Sequence, residues 1–292
     1  MFAHRSFTGS LILRDRSSGS ILPCLCHDMS CDLGSSPQVY DHSLGLLDAP
    51  GGFSPIQEKI YRYSNLAPHV SASGFYGPSH NRLIEAARLP NATNLRHDVG
   101  LIFFRHNPIQ AESILDAVIS KFTLTITAGE PVTWNADFDA PQWMAGLPAG
   151  ISSVLHGNGY PMEPAKILTW DRCEIFTSFG EVQSMTLSVV NNIDRIYTAS
   201  SIIGNGPAGS GQVCKEIRIG KQEVSGTLSL FSPQQFAKRG PEIITFTLNG
   251  HRWRINVAYS SPSNPATGNN IFLSTVAFRG VAYSGSEGTW LS

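Results

Sequence analysis

Residues 122–138 read FTLTITAGEPVTWNADF and carry the clearest structural signal in the chain. Apolar and polar residues alternate from Phe122 to Thr127, and alternation resumes from Val132 to Phe138. The turn residues Gly129, Glu130 and Pro131 separate the two runs. A period of two is typical of strands with one buried face, and a short turn between two such runs is typical of a hairpin. The stretch therefore predicts an antiparallel strand pair.

The same alternation extends along most of the chain. Towards the N-terminus it predicts a hairpin from Phe7–Leu13 and Ser20–Cys26 with a turn at Gly19, then a strand at Val99–Arg105. Further candidate strands are Lys166–Thr169, Val182–Val190, Asp194–Ala199, Glu216–Ile219, Glu223–Phe231, Glu242–Asn249, Arg252–Tyr259 and Asn270–Tyr283. Turns are expected at Asn191-Asn192, Gly220 and Asn249-Gly250. Many short strands predict a mainly β protein, an antiparallel sandwich or barrel in a single domain over 1–292.

Two segments have helical spacing. Ser79 is a candidate cap for a helix from His80 to Leu89, which Pro90 would end. Asn107 is a candidate cap for a second helix, with Pro108 at its first position and Gln110 completing a capping box. The apolar residues of that second segment would share one face and pack on a sheet; they are Ile114, Leu115, Val118 and Ile119.

Residues 34–97 differ from the rest, because they combine six prolines with many Gly and Ser residues and scattered aromatics. We expect an extended loop or arm that becomes ordered against a partner subunit, since Pro cannot donate to a strand ladder. The residues expected at that subunit interface are Leu46, Leu47, Phe53, Ile56, Phe75 and Tyr76. A second irregular insert is expected at 140–164.

Charge excludes some partners. Charged residues make up 15% of the 292 residues, and 21 basic side chains meet 22 acidic ones. Proteins that hold nucleic acid by its phosphates usually carry a basic excess, whereas faces between subunits are poor in charge. The apolar Leu11–Leu13 run is followed at once by Arg14, which is not typical of a secretory leader. The longest apolar run, 99–104, is far below the ~20 residues that cross a bilayer.

Two motifs have weak functional interpretations. The GNGPAG stretch from Gly204 to Gly209 fits G-x-G-x-x-G, but a strand pattern follows instead of a helix, which favours a loop over a dinucleotide site. Cys24, Cys26, His27 and Cys31 could be zinc ligands, but their spacing matches no standard site. Small buried apolar residues on a strand are the favoured interpretation of these cysteines.

Acidic residues and glycines give two further expectations. Asp137 and Asp139 would share a strand face near Glu130 and could act as acid and base or bind a metal, but surface carboxylates are favoured. Gly220 and Gly226 interrupt alternating strands, so both are expected to be structural.

The stretch from Lys166 to Pro233 resembles a known family. It contains KILTWDRCEIFTSFGEVQSMTLSVVNNIDRIYTAS and, after a variable loop, KEIRIGKQEVSGTLSLFSP. These segments are similar to the tail tube proteins of long-tailed bacteriophages. The matching positions are Ser184, Thr186, Leu187, Asn191 and Asn192, then Ile219, Gly220, Glu223, Val224, Ser225, Gly226, Leu228 and Leu230. Residues from Ser120 to Phe138 also resemble that family's first strand pair.

The resemblance implies a β-sandwich or barrel with one flanking helix and no catalysis or cofactor. It implies hexameric rings that stack into a tube in the virion tail, assembled in the host cytoplasm, through which DNA passes at ejection. The implied partners are further copies of the chain and other tail proteins such as the tape measure, the terminator and the sheath, with no membrane.

One alternative of a different class stays open at this point. A β-sandwich of this size could bind or hydrolyse glycans, with Trp134, Trp143 and Trp170 as sugar platforms and Asp137 and Asp139 as acids.

Overall fold

A computed structural model describes residues 9–34, 38–44, 56–62, 65–77, 80–89, 96–103, 110–148, 167–178, 180–198, 203–206, 209–231, 242–260, 273–282 and 289–291. The chain is mainly β with a single α-helix in these ranges, as the sequence predicts. The first half contains β1 Gly9–Asp15, β2 Ile21–Asp32, β3 Gln38–Leu44, β4 Ile56–Arg62, β5 His69–Phe75, α1 Asn81–Arg88, β6 His97–Phe103, β7 Gln110–Thr127, β8 Thr133–Asp139 and β9 Gln142–Ala145.

Where the structure describes it, the second half contains strands and a short 3-10 turn at Trp170–Arg172. Its strands are β10 Cys173–Phe176, β11 Glu181–Ile196, β12 Ile203–Gly206, β13 Gly209–Gln212, β14 Glu216–Phe231, β15 Glu242–Leu248, β16 His251–Tyr259, β17 Leu273–Gly280 and β18 Trp290–Leu291.

Six antiparallel strands close into a barrel. Their order around the barrel is β1, β2, β5, β8, β7 and β6, and β6 pairs with β1 to close the ring. Both predicted hairpins form: Gly19 (φ +69) lies in the turn between β1 and β2, and Gly129 (φ +81) in the turn between β7 and β8. Several large apolar side chains of these strands, such as Phe122 and Phe138, are fully buried in the main core.

An open antiparallel sheet continues from the barrel through β7. The second half of β7 pairs with β11, and the order then runs β14, β17, β16, β15 and β10. The β15–β16 turn is formed by Asn249 (φ +48) and Gly250 (φ +83), which confirms the predicted Asn-Gly hairpin. Strand β7 therefore belongs to both the barrel and the open sheet.

The helix expected after Asn107 is wrong, because Gln110–Thr127 is one long strand. Asp116 has φ +60, and the pairing between β6 and β7 shifts register between His97 and Val99. This bulge changes which face the following residues occupy. Ile114 and Ala117 are consequently both buried although they are three residues apart, which imitates helical spacing.

Two predicted turns are also wrong. Asn191-Asn192 lies inside β11 and Gly220 lies inside β14, where the two strands run side by side with a register shift between Asn191 and Ile193. A bulge thus stands at both positions where a turn was expected. The extra residues of a bulge break the alternation of apolar and polar residues, as a turn does.

The GNGPAG stretch is not a simple loop either: its ends pair as the two-stranded β12–β13 sheet. Lys166–Thr169 contributes only an isolated bridge at Thr169 within the described residues.

The extended arm expected at 34–97 needs correction. Strand β5 is part of the barrel, and α1, which confirms the helix expected at His80–Leu89, buries Leu83, Ile84 and Ala87 against the chain's own core. In the insert expected at 140–164, β9 pairs with β7, and residues 149–164 lie outside the described residues.

What remains of the arm is the connection between β2 and β5. It contains β3 and β4, which pair with each other as a separate two-stranded sheet, called here the ribbon. The backbone N–H of Ala67 donates to the carbonyl oxygen of Leu33 at 2.9 Å. The connection therefore leaves the barrel and returns to it at one point.

Candidate functional site

The most distinctive described surface is a face of the open sheet covered with hydroxyl groups. It is formed by alternate residues of β7, β11, β14 and β17, which are adjacent strands. We call it the hydroxyl face; its residues are Thr123, Thr125, Thr127, Ser184, Thr186, Ser188, Ser225, Thr227, Ser229 and Thr275. All of these side chains are partly or fully exposed. These ten positions are uncharged, but the same side of the sheet also carries exposed Arg279, opposite Ser225, and exposed Lys121, two residues before Thr123.

The rows of this face follow from strand register. Thr125 lies opposite Thr186, which lies opposite Thr227 on the next strand. Directly opposed residues point to the same side of a sheet, and neighbouring strands are about 4.8 Å apart. The intervening residues, such as Leu124, Leu187 and Leu228, are fully buried on the opposite side. Alternation in each strand thus places hydroxyls outward and apolar groups in the core.

The sequence contains a signal for this face. Phe122-Thr-Leu-Thr-Ile is similar to Met185-Thr-Leu-Ser-Val, and Thr227-Leu-Ser-Leu is a third, shorter version. The structure brings these three segments together on adjacent antiparallel strands. Thr suits such positions because its branched side chain packs well on a pleated surface.

Asp139 forms a second polar cluster, at one end of the barrel. It is 6% exposed, so the expectation of a surface carboxylate is wrong for this residue. His69 Nδ1 lies 3.1 Å from Asp139 Oδ1, and Arg195 Nη2 donates to the same oxygen. Arg195 also donates to the carbonyl of Pro68 at 3.2 Å, and the hydroxyl of Tyr197 donates to the carbonyl of Leu66 at 2.7 Å. The end of β11 thus holds the segment that leads into β5.

The electrostatics of this cluster do not suit acid catalysis. Burial alone would raise the pKa of Asp139, but hydrogen bonds with His69 and Ser120 and the charge of Arg195 lower it below its usual value. A glycosidase acid needs a raised pKa. The hydrogen bond to Asp139 raises the pKa of His69, against the opposing effect of partial burial. The two groups therefore favour a charged ion pair.

The tryptophans expected as sugar platforms are largely buried. Trp134 is 2% exposed, and its Nε1 donates to the carbonyl of Phe75 at 3.0 Å, so the platform interpretation is wrong for this residue. Trp143 and Trp170 are partly buried and pack against the main core. Glu130 is exposed in the turn between β7 and β8, and Asp137 is half-buried.

The cysteine cluster forms part of β2. Cys24 and Cys26 are fully buried in the core, which confirms their interpretation as small apolar residues. Burial raises the pKa of Cys26, and that of half-buried Cys31, to about 12, which opposes the thiolate form that binds zinc. The ring of His27 packs edge-on against Phe75 at 4.4 Å between centroids. No group of three or more metal-ligating side chains occurs among the described residues.

The expected interface residues have different environments. Tyr76 is fully buried in the chain's own core, where its hydroxyl donates to Asn81 at 2.9 Å, so its assignment to an interface is wrong. Phe75 is half-buried at the end of β5, and Ile56 begins β4. Leu46, Leu47 and Phe53 lie outside the described residues.

One buried polar network was not expected from the sequence. Asn191 Nδ2 donates to the carbonyls of Ala87 and Ile119, each at 2.9 Å. Gln222 Nε2 donates to the carbonyls of Ala87 (2.9 Å) and Arg88 (3.1 Å) and to Asn191 Oδ1 (2.8 Å). These amides satisfy the carbonyl groups at the C-terminus of α1, which a helix leaves without intrahelical partners. Asn191, one of the two adjacent asparagines that match the tail tube pattern, thus has a structural role.

Comparisons with known proteins do not identify the chain: no family model matches it, and no curated protein is significantly similar in sequence. Across the described ranges, no helix has both the length and the apolar character needed to span a membrane.

Proposed function

We propose that the chain is a structural subunit of a bacteriophage tail tube, without enzymatic activity. In this proposal, copies form hexameric rings that stack into a hollow tube in the virion and contact other tail proteins. The hydroxyl face lines the passage for DNA. Subunits would assemble in the host cytoplasm before the tail is completed.

The observation that carries this proposal is the hydroxyl face, whose charged neighbours on the same side of the sheet, Lys121, Glu223 and Arg279, lie only at its border. A surface that holds DNA uses Lys and Arg to neutralise phosphates, and such contacts would slow its passage. A neutral polar surface stays hydrated and offers DNA no ionic contacts. The segments that resemble tail tube proteins form β7, β11 and β14, which are three of the four strands that carry this face.

Charge and topology give further support. The near balance of 21 basic and 22 acidic side chains suits close packing of identical subunits. The ribbon β3–β4 is a separate two-stranded sheet, and an isolated ribbon of this kind is only marginally stable in water. A neighbouring subunit would supply the surface against which it is stabilised.

Negative-stain electron microscopy of the purified full-length chain tests the proposal, with sedimentation velocity over a wide concentration range. We expect rings or tubes with a central channel. Small uniform particles at all concentrations would contradict it. Retention of such particles on immobilised polysaccharides would instead favour the glycan-binding alternative.

A further inference from the structure

Strand β10 forms the free end of the open sheet. It pairs with β15 on one side, and no described strand pairs with its other side. The N–H of Asn249 donates to the carbonyl of Arg172 at 3.1 Å, in register with the β10–β15 pairing. Opposed residues in an antiparallel pair alternate between hydrogen-bonded and non-hydrogen-bonded positions. Glu174 and Phe176 therefore bond to β15, and the N–H and carbonyl of Ile175 point towards the free edge.

This edge strand is short and has little charge to oppose pairing. Proteins commonly blunt an exposed edge with charged side chains. The end of β14 that β17 leaves unpaired is protected in this way by Glu216, Arg218, Lys221 and Glu223, which are all exposed. Strand β10 carries one charged residue, Glu174, and its Phe176 is 55% exposed.

Apolar surface extends from β10 onto the next strand. Phe176 lies opposite Thr245 on β15, and Ile243, two residues along β15, is 40% exposed on the same side of the sheet. An unpaired backbone edge beside exposed apolar side chains has the features of a strand that pairs with another chain.

We infer that β10 pairs edge to edge with a strand of a second copy of this chain. The chain itself supplies open strand edges, because β3 and β4 pair only with each other among the described strands. The ribbon does not pair with β10 of the same copy. Pairing between copies would therefore supply hydrogen-bond partners both to β10 and to an edge strand of the ribbon. That the pairing strand belongs to a second copy rests on the proposed function. That the edge of β10 is open for pairing does not.

Substitution of Ile175 tests the backbone contact directly. Ile175→Pro removes the outward N–H but no hydrogen bond to β15, and Pro is tolerated at edge positions whose N–H faces away from the sheet. Ile175→Ala is the matched control, because it also loses the half-buried side chain but keeps the N–H. We expect the concentration for half-maximal assembly to rise about tenfold or more in Ile175→Pro relative to Ile175→Ala, the scale of one lost hydrogen bond per contact.

A second pair of variants avoids any effect on the core. Phe176→Lys places a charge on the exposed side of the edge strand, and we expect it to weaken assembly. Phe231→Lys is its control, since Phe231 is 39% exposed but lies on β14 with paired strands on both sides. We expect it to assemble like the wild type.

Sedimentation velocity and electron microscopy distinguish the outcomes. Tubes in the wild type that are lost in Ile175→Pro and Phe176→Lys support both the edge contact and the proposed function. Tubes that persist in both variants overturn the edge contact and leave the function standing. Dimers or irregular oligomers that depend on β10 support the contact and contradict the function, and a wild type that stays monomeric overturns both.

Discussion

Gly226 on β14 lies directly against the ring of Phe278 on β17. The two residues are opposed in the strand register, and a Cβ at position 226 would overlap both that ring and the carbonyl oxygen of Thr186. Phe278 is 2% exposed. The absence of a side chain at 226 therefore makes room for a large aromatic residue in the core, which confirms the structural role expected for this glycine.

Gly226→Ala is expected to lower the free energy of unfolding by roughly 1–3 kcal/mol, because overpacking forces neighbouring atoms to shift. Urea denaturation followed by circular dichroism measures the effect. Gly220→Ala on the same strand is the control: its new Cβ would lie 3.3 Å from the carbonyl oxygen of Asn192, a tight contact without overlap. Equal losses in the two variants would contradict this explanation.

Asn191→Ala is expected to destabilise the chain by about 1–3 kcal/mol. It removes the amide that donates to the carbonyl of Ile119 and one of the two amides that donate to the carbonyl of Ala87, where Gln222 remains. Asn192→Ala is the control, because Asn192 is exposed and donates to the carbonyl of Lys221 at 2.8 Å. Amide hydrogen exchange should also accelerate at the C-terminal end of α1 in Asn191→Ala but not in Asn192→Ala.

The pair His69–Asp139 should make stability depend on pH. The pKa of His69 is raised in the folded chain, so its contribution is complete below about pH 6.5 and is lost as the pH rises through the folded pKa. The pKa of Asp139 is lowered, so its contribution is lost only in acid. Asp137 and Arg195 are the other charged groups that act on His69.

His69→Gln should therefore reduce the melting temperature most near about pH 5 and least at about pH 8. His251→Gln, at an exposed position on β16, is the control variant, and its melting temperature is measured at the same pH values. An effect of His69→Gln that is constant from pH 5 to pH 8 would contradict a charged pair.

Replacing residues 36–64 with a short Gly-Ser linker should leave a folded subunit that no longer forms tubes. The linker is feasible because Ala67 donates to Leu33 where the connection begins and ends. Circular dichroism and urea denaturation check the fold, and electron microscopy checks assembly. Tubes of normal length from the shortened chain would show that the ribbon is dispensable. A larger deletion through residue 96 is unsuitable, since it would remove β5 and α1.

Local patterns predicted much of this fold from the sequence. The alternation at Phe122–Thr127 and the Asn249-Gly250 turn each determine a local structure, and both are confirmed. Errors arose where a bulge changes the face on which residues lie: the bulge at Asp116 made a strand resemble a helix, and the one beside Asn191 resembled a turn.

The polar sites were harder to predict, because they depend on contacts between distant parts of the chain. Asp139 accepts a hydrogen bond from Arg195 on another strand, and Asn191 donates to the end of a helix 104 residues earlier. The spacing of the acidic residues in the sequence predicts neither of these contacts. The hydroxyl face, by contrast, could have been inferred from its three similar segments, once their adjacency in the sheet was assumed.

The strand shared by barrel and sheet has a consequence for synthesis. Every barrel strand lies between Gly9 and Asp139, so the barrel can close while the second half of the chain is still being translated. The exposed second half of β7 then offers a preformed template for β11, and each later strand adds to an existing edge. Helix α1 must wait for Asn191 and Gln222 before its last carbonyls are satisfied. A nascent chain should thus acquire protease resistance in two steps, first the barrel and then the sheet.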